Sequence, residues 1–242
     1  MKKKWKIGLI ILLLFVLSLI MAGAVKSLKN RQTAINVAEK YLEEKYSTEM
    51  QIHSVKYKYL DAHGLIRSYF YVYAAPKSNP EINFRVVLNA INFSPVYGDF
   101  AYRIPDNYIQ ILFSHRLAKA LEKTIIELWG KKAQTEVSLF GRFQNTEDLS
   151  ETDSIELMSQ SIKYELRIIT ERKLEDCNFE EETDRILQVF DEIKQLNVGE
   201  RKIYIKYRNW DISFSEWSDL TKDDVMTKLM RNFRQATTTR AS

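Results

Sequence analysis

Nineteen consecutive residues, Ile7 to Val25, carry no charge and read Ile-Gly-Leu-Ile-Ile-Leu-Leu-Leu-Phe-Val-Leu-Ser-Leu-Ile-Met-Ala-Gly-Ala-Val. A helix rises about 1.5 Å per residue, so this run matches the roughly 30 Å hydrocarbon core of a bilayer. A helix that is apolar on every side belongs either in a membrane or deep inside a core. In front of it stands Met1-Lys2-Lys3-Lys4-Trp5-Lys6, a basic segment with a tryptophan at the expected interface. Lys26, Lys29 and Arg31 follow the run, and the denser charge ahead of it favours a cytoplasmic amino terminus. Residues 1–6 are therefore expected inside, 7–25 in the bilayer, and the bulk of the chain outside the cell membrane. The same features fit a secretory signal peptide, because Ala22-Gly23-Ala24 satisfies the small-x-small rule for cleavage after Ala24. The run exceeds the 7–15 residues typical of a signal core, which favours an uncleaved single-pass anchor.

The rest of the chain has an ordinary globular composition, with 45% apolar and 28% charged residues among 242. About 215 residues beyond the run suffice for two modest domains. Four leading lysines supply much of the net charge of +4, so the remainder is nearly neutral and a nucleic-acid partner is not expected. Cys177 is the single cysteine, which excludes an intramolecular disulfide and a lipid-attachment cysteine near the run. An extracytoplasmic protein without disulfides fits a Gram-positive surface.

Past a short polar stalk, Arg31 to Tyr46 reads as an amphipathic helix with Ala34, Val37, Ala38, Tyr41 and Leu42 on one face. Alternating stretches at 51–60, 67–75 and 82–88 predict three strands, the first two joined by a turn at Asp61-Ala62-His63-Gly64. These make a first domain over 31–95, a helix against a meander. A connection over 89–106 with Pro95, Gly98 and Pro105 carries the domain boundary. The second domain, 106–235, opens with a helix capped by Asp106 or Asn107 and running to about Leu128. Strands follow at 134–140, 162–168 and 202–207, with helices at 179–196 and 221–234 and a polar loop at 146–153. Residues 236–242 read as a disordered tail. The expected fold class is α+β: an N-terminal transmembrane helix followed by two small helix-plus-antiparallel-sheet domains.

The basic anchor, the spacing Ala34-x3-Ala38-x2-Tyr41-Leu42 and the tyrosine-rich strands ending at Pro76 resemble the YfjL-like membrane-anchored proteins of Gram-positive bacteria. Their first folded part is similar to a cystatin- or PepSY-type α+β module, and the resemblance spans residues 1 to about 95. It implies an uncharacterised extracytoplasmic protein and carries over no functional residues.

The signatures of common catalytic sites are missing from the sequence. His53, His63 and His115 form no H-E-x-x-H, no C-x-x-C pair exists, and seven scattered glycines make no phosphate loop. His53 and His63 lie where a hairpin would bring them together, a position that also suits surface histidines. Cys177 stands among Glu175, Asp176, Glu180 and Glu181, whose charges oppose thiolate formation. No catalytic, cofactor-binding or metal residue is therefore assigned, no cofactor is expected, and the chain reads as a non-enzyme. The tyrosine series Tyr57, Tyr59, Tyr69, Tyr71 and Tyr73 is expected on one sheet face, either as a platform for a partner or as cross-strand packing. The function these features imply is an outward-facing region that binds or modulates another cell-envelope protein. The alternatives are an inhibitor or cryptic hydrolase, and a structural subunit of a surface assembly.

Overall fold

A computed structural model describes residues 2–62, 65–95, 106–139, 148–199, 202–215 and 217–240. The chain divides into two compact units, Met1–Gly98 and Asp99–Ser242. The division falls inside the proline- and glycine-bearing connection, whose residues 96–105 lie outside the described residues.

The first unit begins with α1 (Lys2–Lys45), one helix of 44 residues. The polar stalk expected after Val25 is thus helical. Residues 26–33, Lys-Ser-Leu-Lys-Asn-Arg-Gln-Thr, contain neither glycine nor proline, so nothing stops the helix between the apolar run and the amphipathic part. Ala34, Ala38 and Leu42 recur every fourth residue and are fully buried. Small side chains at two of these positions let the helix axis come close to the sheet. That sheet is a meander of β1 (Met50–Ala62), β2 (Leu65–Pro76) and β3 (Phe84–Asn89), all antiparallel. Val72, Ala74, Phe84, Val86 and Leu88 are buried on one of its faces. A register shift between Ile52 and Ser54 marks a bulge at His53, which is exposed. β1 continues into the first half of the expected turn, so that Ala62 pairs with Leu65, whereas β3 pairs only with residues 69–74. The β1–β2 hairpin therefore projects beyond the third strand. His63 lies outside the described residues.

The second unit opens with α2 (Tyr108–Trp129). Its N-cap position is Asn107, which makes no side-chain cap bond; Asp106 just before it serves instead, its Oδ1 accepting the Tyr108 N–H at 3.0 Å. Gly130, at φ 91°, ends it in a region that a side chain rarely adopts. The sheet order is β4 (Gln134–Leu139), β5 (Tyr164–Ile169), β6 (Ile203–Tyr207), β7 (Trp210–Phe214). α3 (Ile155–Ser161) precedes β5, α4 (Phe179–Gln195) joins β5 to β6, and α5 (Lys222–Arg240) closes the chain. Tyr164, Leu166 and Ile168 of β5, Ile203 and Ile205 of β6, and Ile212 and Phe214 of β7 alternate onto the buried side. Helical residues meet them there: Phe113 lies edge-on to Tyr164 at 5.2 Å, and Phe190 to Phe214 at 5.3 Å.

The α+β architecture agrees with the reading of the sequence, and four details correct it. β5 and β6 are parallel, because the 17-residue α4 between them carries the chain back across the sheet. α3 is a seven-residue helix, too short for a clear apolar period, started by Ser154 accepting the Leu157 N–H. β7 follows β6 after only Arg208-Asn209, a turn without the glycine that flags most two-residue hairpins. α5 runs to Arg240, so residues 236–240 of the expected tail are helical, and 241–242 lie outside the described residues.

Candidate functional site

Three features compete as functional sites. The first is the amino-terminal part of α1. From Leu13 to Leu28 its large apolar side chains are exposed, with Phe15 at 60% and Leu28 at 66%. An 18-residue window of this helix reaches a mean hydropathy of 1.5, and none of that window is buried by the rest of the chain. This is the one described helix long and apolar enough to cross a membrane. The same helix is buried against the sheet from Ala34 onward, so exposed apolar surface and folded core share one rigid element.

The second is the tyrosine series, and here the register overturns the single-face expectation. Tyr57 pairs with Phe70, and Tyr69 pairs with Lys58. Directly opposed residues share a face, so an odd-numbered position on β1 shares its face with an even-numbered one on β2. Tyr57 and Tyr59 lie on the side covered by α1, and Tyr69, Tyr71 and Tyr73 on the other. Tyr69 and Tyr71 are buried at 9% and 6% and cluster with Val87, with Tyr73 half-buried against them. The Arg85 guanidinium sits 4.9 Å from the Tyr71 ring centre and the Lys56 ammonium 5.1 Å from that of Tyr73. These three tyrosines are packed and offer no broad platform. Tyr57 and Tyr59 are the exposed members.

The third is Glu182, on the first turn of α4 and fully buried. Its Oε1 accepts Trp129 Nε1–H at 2.6 Å and Tyr207 O–H at 2.8 Å. Its Oε2 accepts Arg185 Nη1–H at 2.7 Å and Arg172 Nη1–H at 3.3 Å. Four donors, two of them guanidinium groups, compensate a carboxylate that isolation would make very costly. Burial, then the charge of Glu182, pushes the Tyr207 phenol well above its ordinary range. Cys177 lies nearby, its thiol donating to the Lys173 carbonyl at 3.2 Å. Burial foremost, and then Glu182, raises that thiol to about 11, so it is protonated at neutral pH and a poor nucleophile. The sequence pointed to the right direction with the wrong cause: exposed acidic neighbours are secondary to burial and to a glutamate five residues on.

Beside this network, at the carboxyl ends of the parallel strands, a hollow of about 470 Å³ is lined by Lys132, Ile169, Thr170, Glu171, Lys206, Tyr207 and Arg208. Lys132 and Glu171 pair across it at 3.1 Å. With both oxygens of Glu182 occupied by structural donors and Cys177 protonated, the network supplies neither a free base nor a thiolate. Among the described residues no group of three or more metal-ligating side chains converges. His53 and His115 lie in different units. The Glu182 network was missed in the sequence because its members, residues 129, 172, 182, 185 and 207, are joined only by the fold.

No family model and no curated protein matches this chain. Among solved structures, the crystal structure of a DUF5037 family protein from Ruminococcus gnavus ATCC 29149 aligns at 14% identity with a TM-score of 0.46. The alignment covers 82% of this chain and 99% of that one.

Proposed function

We propose that this is a single-pass membrane protein whose amino terminus is cytoplasmic and whose two α+β units lie outside the membrane, where they bind or modulate another cell-envelope protein. The observation that carries this reading is α1. Its exposed apolar part continues without a break into the part buried against the first sheet. A partner site on such a unit is held at a fixed height and angle above the bilayer, whereas a flexible tether would let it tumble. Four lysines before the apolar run and the absence of acidic residues there support the inward amino terminus. A non-catalytic role is supported by the saturated Glu182 and the protonated Cys177. Kinship with YfjL-like proteins belongs to the same proposal and draws support from the order of one helix and a three-stranded meander.

Fractionation tests the anchor. The full chain stays in the membrane pellet after alkaline carbonate extraction, and a variant lacking residues 1–30 does not. External protease added to intact spheroplasts digests the chain beyond residue 30. Protection from that protease overturns the orientation, and a mature mass lacking residues 1–24 overturns the anchor. Mild crosslinking and pull-down from the same membranes then identifies the partner, and an intact membrane chain that crosslinks to nothing overturns the binding role.

A further inference from the structure

The end of the first unit nearest the apolar run carries side chains suited to a lipid interface. The direction of the sheet is settled by its far end, where Leu42 and Tyr46 line one hollow with Met50, Ile52 and Lys77. β1 therefore runs back along α1, and its carboxyl end lies on the side from which the apolar run departs. Counted from that hollow, α1 spans about 32 Å from Tyr46 back to Val25 and β1 about 40 Å from Met50 to Ala62, so the projecting hairpin reaches the height at which the run ends. β3 runs the same way and delivers the turn after Asn89 to this end.

Tyr59, Tyr57, Phe70 and Phe93 form a continuous aromatic row here, with successive ring centres 4.9, 5.2 and 5.5 Å apart. Tyr57 and Tyr59 are 46% and 68% exposed, and Ile91 is 87% exposed. The turn that presents Ile91 and Phe93 is rigid: Asn89 N–H donates to the Ser94 carbonyl and Asn89 Oδ1 accepts the Ile91 N–H, with Phe93 held at φ 58°. A non-glycine residue in that region costs energy, so the turn is built rather than frayed. On the opposite face of the hairpin, Lys56, Lys58 and Arg67 are exposed in a row. Tyrosine rings beside an exposed aliphatic side chain, with cations close by, are the residue types that settle at the headgroup layer.

We propose that this end of the first unit, through Tyr57, Tyr59, Ile91 and Phe93 with Lys56 and Lys58 beside them, rests in the headgroup layer of an anionic bilayer. The contact rests on the anchoring reading and extends it. It gives the unit a second point of attachment, which fixes its tilt as well as its height.

The test uses the full chain in vesicles of phosphatidylglycerol and phosphatidylethanolamine, in a Cys177→Ser background. Nitroxide labels are placed singly at Tyr59→Cys, Ile91→Cys and, as the far-end reference, Ser78→Cys. Oxygen, which concentrates in lipid, and a water-soluble nickel chelate are used as collision partners. The expected oxygen-to-nickel accessibility ratio is several-fold higher at 59 and 91 than at 78. Equal ratios at all three sites, with the chain still retained in the vesicles, overturn the interface contact and leave the anchor standing. Low access to both reagents at 59 and 91 also overturns it, by showing that protein covers the row. Loss of the chain from the vesicles on carbonate washing overturns the anchor and this contact together.

Discussion

In the first unit the buried face of the sheet is filled by Val72, Ala74, Phe84, Val86 and Leu88 against Ala34, Ala38 and Leu42, and no charged or polar side chain is buried among its described residues. In the second, Glu182 lies wholly inside, tied to Trp129, Tyr207, Arg172 and Arg185. The first unit is held by shape, because its alanines set how near the helix approaches. The second adds a charge network centred on a fully buried carboxylate. Buried ion pairs contribute little net stability when complete and cost heavily when broken. The two units are therefore expected to fail in different ways.

The largest effect is expected from Glu182→Ala. It strands Arg172, an indole N–H and a phenol and leaves Arg185 with Glu181 alone, and is expected to cost about 3–5 kcal/mol, read as a lowered urea midpoint for the second unit alone. A loss below about 1 kcal/mol would show that the network is ornamental. Ala38→Leu probes the first unit. Ala38 is fully buried, so three extra heavy atoms find no room between α1 and the sheet, and overpacking is expected to cost about 1–3 kcal/mol there, with the second unit's midpoint unchanged. An unchanged midpoint for the first unit would refute close packing as its organising feature.

Alkaline titration separates the units further. The folded Cys177 thiol ionises at about 11 against 9.0 for the free group. A raised folded value means that the unfolded chain loses its proton first, so the contribution of Cys177 is complete below about pH 9 and is lost as pH rises to about 11. Wild type is expected to lose more stability across that window than Cys177→Ser, in the second unit only. Equal slopes for the two proteins would remove Cys177 from the network. The smallest effect is assigned to Lys77→Ala, which breaks a 3.0 Å pair with Glu49 between side chains 58% and 80% exposed. Such surface pairs contribute about 1 kcal/mol or less, and a larger drop in thermal midpoint would mean that Lys77 does more than pair.

Much of the first unit was legible because its signals are local. The Ala34-Ala38-Leu42 spacing and the alternation through Val72 and Val86 each need only a few residues. What failed was parity. Five odd-numbered tyrosines look alike along the sequence, but pairing Ala62 with Leu65 matches odd positions to even ones and sends them to opposite faces. In the second unit, the strands at 164–169 and 203–207 announced themselves by alternation, whereas α3 is too short to do so, and β7, though it alternates Trp210, Ile212 and Phe214 with Asp211 and Ser213, is hidden by the glycine-free turn at Arg208-Asn209. The parallel pairing of β5 and β6 required noticing that α4 is itself the connection.

Reading along the chain was enough to find the long uncharged segment near its start, the two α+β units after it, and a Cys177 with no second cysteine to pair with. These depend on composition and on periods of two or four residues, which a linear reading carries in full. It took the folded molecule to reveal that α1 joins the exposed apolar run to the buried core in one unbroken helix, that the tyrosines part company across the sheet, and that Glu182 sits inside the second unit. Each of these depends on which distant residues are brought face to face, and that follows from register and crossover rather than from any single stretch of chain.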